Sequence, residues 1–288
     1  MPIIIERAPA LLMTFMNSGL NRALVATTES SKLRLACAEV WSGNRDRANL
    51  LELPGLTAWV YSMAAGTGKA GGDVHYVSVC PGCLVTRIAL ADVSGHGEAV
   101  ARFSQHLGVM MQRYLHAIKH VPFMRDLGKA VREELGGEHY ATMVAIGWHG
   151  RWGVVSMSNA GHPPPLWYST VRGEWSWLEA DCDAQPKRLL DLPLGLLDDG
   201  AYDALAFKSK PGDLFVMYSD GISEALDPDG NELGRSGLMR LVQSLDRTCA
   251  DRFGVQLVSA LDRFRHGAEQ LDDQTIIVVR RNDVHAGS

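Results

Sequence analysis

Six short fragments rich in acid and glycine punctuate this chain, and their aspartates limit how it can fold. In order they are Gly71-Gly72-Asp73, Asp92-Val93-Ser94-Gly95-His96-Gly97, Tyr140-Ala141-Thr142-Met143, Asn159-Ala160-Gly161-His162, Tyr218-Ser219-Asp220-Gly221 and Asp272-Asp273-Gln274-Thr275. Four of the six carry carboxylates, each at the edge of an apolar run. A fold that gathers those edges buries charge, at several kcal/mol for each unpaired group. A divalent cation is the simplest remedy, and an all-oxygen donor set favours hard ions such as magnesium or manganese.

With 288 residues and 46% hydrophobic content, the chain can build one well-packed domain, and length alone allows two. The net charge of −5 and pI of about 6.1 provide no global basic surface for nucleic acid. No apolar stretch approaches the ~20 residues of a membrane span. The start, Met1-Pro2-Ile3-Ile4-Ile5-Glu6-Arg7, lacks the basic head and long apolar core of a signal peptide. A cytoplasmic protein with neither membrane nor nucleic-acid partner is the expectation. Five cysteines at irregular spacing do not suggest a disulfide framework. Cys80-Pro81-Gly82-Cys83 reads as a redox pair, as half a zinc site, or as a Pro-Gly hairpin turn between His75–Cys80 and Leu84–Ala91. No second Cys-x-x-Cys completes a zinc site, which favours the turn.

Residues 7 to 48 carry apolar positions at helical spacing (Leu11, Leu12, Phe15, Leu20, Leu24, then Leu33, Leu35, Ala36, Val40), broken near Thr27–Ser31. The spacing predicts an N-terminal helical segment over 1–48, regulatory or dimerising, ahead of a main domain over 49–282 and a tail over 283–288. The main domain reads as short strands: Thr57–Met63, His75–Cys80, Leu84–Asp92, Thr142–Trp148, Trp152–Asn159, Pro165–Tyr168, Tyr202–Phe207, Asp213–Tyr218 and Thr275–Val279. Helices interrupt them in two blocks. One starts near His96 and continues into Val121–Leu135; the other covers Ser236–Leu245 and Asp251–Arg265. Strands in runs with paired helices between them indicate an α+β fold with antiparallel sheet.

Asp92 and Asp220 each end an apolar strand and precede a glycine-bearing turn, where a metal can approach unobstructed. Asp73 and the pair Asp272-Asp273 precede strands. Gathered at one sheet edge, these groups make a two-metal site. Two divalent ions ~3.5–4 Å apart share a water, lower its pKa and direct it at phosphorus, with no Cys or Ser nucleophile.

The fragments, in this order, resemble the metal-dependent protein phosphatases of the type 2C superfamily, in their bacterial SpoIIE/RsbU-like branch. Asp92-Val93-Ser94-Gly95-His96-Gly97 with Ser219-Asp220-Gly221-Ile222-Ser223-Glu224-Ala225 is a highly specific pair, and the resemblance runs from about 49 to 281. It implies a four-layer α-β-β-α sandwich with two central antiparallel sheets and two manganese or magnesium ions in a cleft between the sheet edges. Asp92 would bridge both ions and the Val93 backbone carbonyl would bind the second. Asp220 and Asp272 would hold the first, and Asp73 would ligate the second or orient its waters. His96 stands either as a general acid or as helix-start structure. His162 reads as a turn residue that supports the cleft. The implied activity is hydrolysis of phosphoserine or phosphothreonine on a phosphorylated STAS-domain protein, an anti-sigma-factor antagonist of a partner-switching pathway. The alternatives are a non-catalytic phosphoprotein-binding module of the same fold and a metal-dependent hydrolase of small phosphate esters. Residues 188–201 read as a substrate-selecting flap or as a plain surface loop. The segment 1–48 would serve a homodimer.

Overall fold

Apolar runs buried on both faces form the middle of the molecule. The computed structural model describes residues 31–45, 47–66, 70–95, 98–114, 117–135, 139–179, 192–197 and 202–282. The strands are β1 (Ser31–Arg34), β2 (Val40–Arg45), β3 (Arg47–Leu53), β4 (Leu56–Met63), β5 (Ala70–Val79), β6 (Thr86–Val93), β7 (Ala141–His149), β8 (Val154–Ala160), β9 (Leu166–Ser169), β10 (Glu174–Trp177), β11 (Leu205–Lys208), β12 (Leu214–Tyr218) and β13 (Gln274–Arg281). The helices are α1 (Glu98–Arg113), α2 (His120–Leu135), the single turn α3 (Asp220–Ser223), α4 (Gly234–Gln243) and α5 (Ala250–Arg265).

Seven strands pair in the order β1-β3-β4-β13-β12-β9-β10 and six in the order β11-β8-β7-β6-β5-β2. The pairs are antiparallel except β1 with β3, which is parallel. Side chains alternate between faces along each strand, and here both faces are covered. Ala58, Val60, Met217 and Ile277 from one sheet meet Ile88, Leu90, Val144 and Ile146 from the other in the inter-sheet core. The opposite faces carry Trp59, Val216 and Val278 against Phe253 and Leu257 of α5, and Ala89, Ala91 and Ala145 against Leu107 of α1 and Phe123 of α2. Two sheets packed face to face with helices outside each give the four layers expected from the resemblance. Among the described residues, no helix is long and apolar enough to cross a membrane.

The helical reading of residues 31–48 is corrected. These residues form β1, β2 and the start of β3, so the sandwich begins before residue 49. Leu33 and Leu35 flank Arg34, and that period of two places both leucines at the inter-sheet core. The expected helices over 1–30 lie outside the described residues, as does the 283–288 tail. The Cys80–Cys83 segment is the hairpin turn between β5 and β6, with the Cys83 N–H donating to the Cys80 carbonyl at 2.9 Å. The cysteine spacing suggests no disulfide framework, yet Cys83 is bonded to Cys37, with Cα atoms 5.3 Å apart.

Candidate metal centre

Antiparallel pairing brings the starts of β5, β7 and β13 and the ends of β4, β6, β8 and β12 to one end of the sandwich. The acidic fragments occupy those positions. Asp92 stands near the end of β6, opposite Thr142 of β7. Gly71, Gly72 and Asp73 lie near the start of β5, Asp220 opens α3 directly after β12, and Asp272 and Asp273 lead into β13.

Gly72 shows how closely these groups pack. A Cβ on it would meet Asp92 Oδ1 at 3.1 Å and the Val93 carbonyl oxygen at 3.3 Å. The side chain and the carbonyl that the resemblance pairs as ligands therefore face the same space, and the missing side chain leaves it open. Asp273 holds this strand in place. Its carboxylate accepts the Ala65 N–H at 2.7 Å through Oδ1 and the Gly72 N–H through Oδ2, and a Cβ on Gly71 would overlap it. The sequence placed Asp273 among the acids at strand termini, with Asp272 preferred as the ligand, and did not reveal this clamp. Its partners lie 208 and 201 residues away along the chain, so no local pattern reports the contact.

The carboxylates lie within electrostatic range of one another. Burial, then the charges of Asp220, Asp272 and Asp273, push Asp92 up to about 7. Burial and then Asp92 raise Asp73 well above the usual carboxylate range, against the pull of the neighbouring Ser219 and Thr275 hydroxyls. Asp272 is raised by burial and by Asp220. Among the described residues no three His, Cys, Asp or Glu side chains are grouped closely enough to hold a metal ion as they stand. Asp220 Oδ1 accepts the Gly221 N–H at 2.8 Å and Asp272 Oδ1 the Asp273 N–H at 2.7 Å. Beside Asp272 a cavity of about 230 Å³ opens, lined in part by Glu224, Glu232 and Glu269 with Arg265.

Two buried aspartates give a direct comparison. Asp213 is 1% exposed and fully served, accepting from Thr170 N–H, Thr170 Oγ1, Ser209 Oγ and Lys210 N–H. Asp73 is 3% exposed, yet its Oδ2 has no hydrogen-bond partner. A buried carboxylate oxygen that makes no hydrogen bond, beside Asp92 and Asp273, fits a hard cation.

Asn159-Ala160-Gly161-His162 closes a tight turn. Asn159 Nδ2 donates to the His162 carbonyl and the His162 N–H returns to Asn159 Oδ1, both at 2.8 Å. The buried His162 ring places Nδ1 2.8 Å from Thr142 Oγ1, beside the strand position paired with Asp92. Burial pushes the ring down to about 3, although the nearby Tyr218 carbonyl favours its charged form. His162 thus ties the turn after β8 to β7, in keeping with the turn reading. His96 lies outside the described residues. Of residues 188–201, the described part, 192–197, docks on β7 through reciprocal backbone bonds between Leu194 and Ala141 of 2.7 and 3.1 Å.

The profile of the family described as Stage II sporulation protein E (SpoIIE) matches residues 85–282, more than half of the chain. The chain belongs to the SpoIIE family. It is 25% identical over 195 residues to the phosphoserine phosphatase RsbU of Bacillus subtilis (strain 168), covering 67% of this chain and 55% of that protein. The chain thus spans about half the length of this curated relative. Among solved structures, the PP2C phosphatase domain of SpoIIE from Bacillus subtilis, with a fragment of its regulatory domain, superimposes with a TM-score of 0.63 at 19% identity, over 85% of this chain and 64% of that one. RsbX in complex with magnesium superimposes with a TM-score of 0.57 at 14% identity, over 81% and 98%. The SpoIIE-family match covers Asp92, Val93, Asp220 and Asp272, while Asp73 precedes it.

Proposed function

We propose that the chain is a protein serine/threonine phosphatase that takes magnesium or manganese at the end of the sandwich where Asp73, Asp92, Asp220 and Asp272 gather. The observation that carries this is the Asp73 carboxyl, buried with Oδ2 unpartnered among mutually repelling acids. Asp92, the Val93 carbonyl, Asp220 and Asp272 would hold two divalent ions, with Asp73 beside the second. Bound there, such ions supply Lewis acidity, offsetting the carboxylate charge and that of phosphoryl oxygens and acidifying water. The chain's own residues set the stage. Asp273 fixes the strand that carries Asp73, Gly72 keeps the space between Asp92 and Val93 clear, and the His162–Thr142 contact steadies the strand opposite Asp92. No nucleophilic side chain is required. Similarity to RsbU supports a phosphoserine substrate, and we take it to be a phosphorylated STAS-domain protein of a partner-switching pathway.

The test is turnover of a phosphorylated STAS-domain protein and of a chromogenic phosphate monoester, with manganese and with chelator. Both activities should require the metal. Asp92→Asn and Asp220→Asn should each lower both by more than about 100-fold, beyond the 10–100-fold typical of outer-shell changes, with circular dichroism unchanged. Undiminished turnover in chelator or in either variant overturns the proposal. Ester turnover without phosphoprotein turnover points to a small-ester hydrolase, and metal-dependent phosphoprotein binding without turnover to a binding module.

A further inference from the structure

We propose that Cys37, Cys80 and Cys83 form a thiol–disulfide exchange site in which Cys80 is the resolving thiol. Cys37 lies in the crossover from β1, at the edge of the seven-stranded sheet, to β2, at the edge of the six-stranded one. Its disulfide to Cys83 clasps that crossover to the β5–β6 turn. Both partners are exposed, whereas Cys80 is buried and carries a free thiol. Exposed disulfides are the ones that exchange and regulate, whereas structural ones resist reduction.

Cys83 has a second cysteine within reach. The bond from its N–H to the Cys80 carbonyl closes a four-residue turn, whose end Cα atoms lie within about 7 Å, close to the span a disulfide bridges. The Cys80 sulfur is fixed under the turn, where Sγ accepts the Val85 N–H at 3.0 Å. In the exchange, Cys80 gives its proton to solvent and its thiolate attacks Cys83 Sγ. The Cys80–Cys83 bond forms as the Cys37–Cys83 bond breaks, and Cys37 leaves as a thiolate that takes a proton from solvent. One disulfide and one thiol are present before and after the step, so no oxidant or reductant is consumed. Because Cys80 is 5% exposed, the turn must open for the step to occur. Afterwards the crossover is held without a covalent bond, by backbone contacts such as Ala38 N–H to the Val79 carbonyl at 2.9 Å and Val79 N–H to the Glu39 carbonyl at 3.0 Å.

The test maps disulfides in the full oxidised chain by alkylation, acid quench and non-reducing peptide mass analysis. Two cross-links are expected, Cys37–Cys83 and Cys80–Cys83, with Cys37 alkylated in proportion to the second. Cys80→Ala and Cys80→Ser should retain only the first. Cys37→Ser, oxidised with glutathione disulfide, should hold only the second. The first cross-link closes a 46-residue separation, so Cys80→Ser, which retains only that form, should melt about 5–10 °C above Cys37→Ser. A Cys37 that is never alkylated in the oxidised wild type, or a Cys37→Ser chain that keeps Cys80 and Cys83 as thiols under glutathione disulfide, overturns the proposal. The cross-link map reads chemistry, so a variant that melts low still reports.

Discussion

Asp272 and Asp273 are adjacent in sequence, yet their surroundings assign them different work. Both Asp273 oxygens are taken by backbone N–H groups, of Ala65 and Gly72, whereas Asp272 stands at the surface beside Asp220 with one oxygen on its neighbour's N–H. In Asp273→Asn a carboxamide would meet two donors with only one acceptor, so one N–H loses its partner and the strand carrying Asp73 loosens. Manganese affinity, measured by calorimetry, should fall about 10–100-fold, as for other changes beside metal ligands, while Asp272→Asn should bring a larger loss. Equal affinity in Asp273→Asn and wild type would remove the clamp from the account. Gly72→Ala provides a second check. Its methyl would crowd Asp92 Oδ1 and the Val93 carbonyl oxygen at 3.1 and 3.3 Å, so monoester turnover should drop at least about tenfold, with little change in melting temperature. Asp92 and Asp220 were legible from sequence because a strand end followed by a glycine-bearing turn is a local pattern. The Asp273 clamp was not, because it exists only once β4, β5 and β13 come together.

Among the secondary-structure elements, the legible ones carry their own periodicity. The strands β4 to β8 read as apolar runs because both of their faces are buried, and α1, α2 and α5 read from stripes at 3.6-residue spacing. The elements missed are specified by their neighbours. The four-residue β1 is shaped by pairing with β3, β10 by pairing with β9, and α3 is too short to show a period. Helix-to-sheet contact is close where α5 crosses β4. There Gly254 lies so close to the Trp59 ring that any Cβ would overlap it. Trp59 is 1% exposed and stacks on Tyr61 with ring centroids 6.0 Å apart, so it has little room to yield. In an open helix Gly→Ala gains about 1 kcal/mol; here overpacking at about 1–3 kcal/mol should outweigh it. Gly254→Ala should therefore melt several degrees below wild type, and adding Trp59→Phe should recover part of the loss. A higher melting temperature for the single variant would show that the contact is loose.

Across the whole molecule, buried titratable groups pull stability in opposite directions as pH changes, and a bound cation should remove one side of the contest. His120 is pushed from 6.5 down to about 3 by burial, then by Arg87 and His149, and His162 to about 3 by burial. Each stays neutral in the fold while the unfolded chain takes up a proton, so its contribution is complete above pH 6.5 and is lost as pH falls toward 3. Asp92 runs the other way. Raised from 3.8 to about 7, it keeps a proton in the fold that the unfolded chain releases, so its contribution is complete below 3.8 and is lost as pH rises to 7. Asp73 shares that direction. Between pH 4 and 6.5 the two sets oppose each other, each group weighing at most about 1.4 kcal/mol per pH unit, and the metal-free protein should show a nearly level stability profile. Manganese favours the ionised carboxylates and competes with their protons, which leaves the histidines to set the slope. The rise in melting temperature on adding saturating manganese should therefore grow from pH 5 to pH 7. Thermal scans at pH 5, 6 and 7 with and without the metal measure it. In Asp92→Asn the manganese shift should be small at every pH, and a wild-type shift of equal size at all three values would show that these carboxylates do not hold the ion.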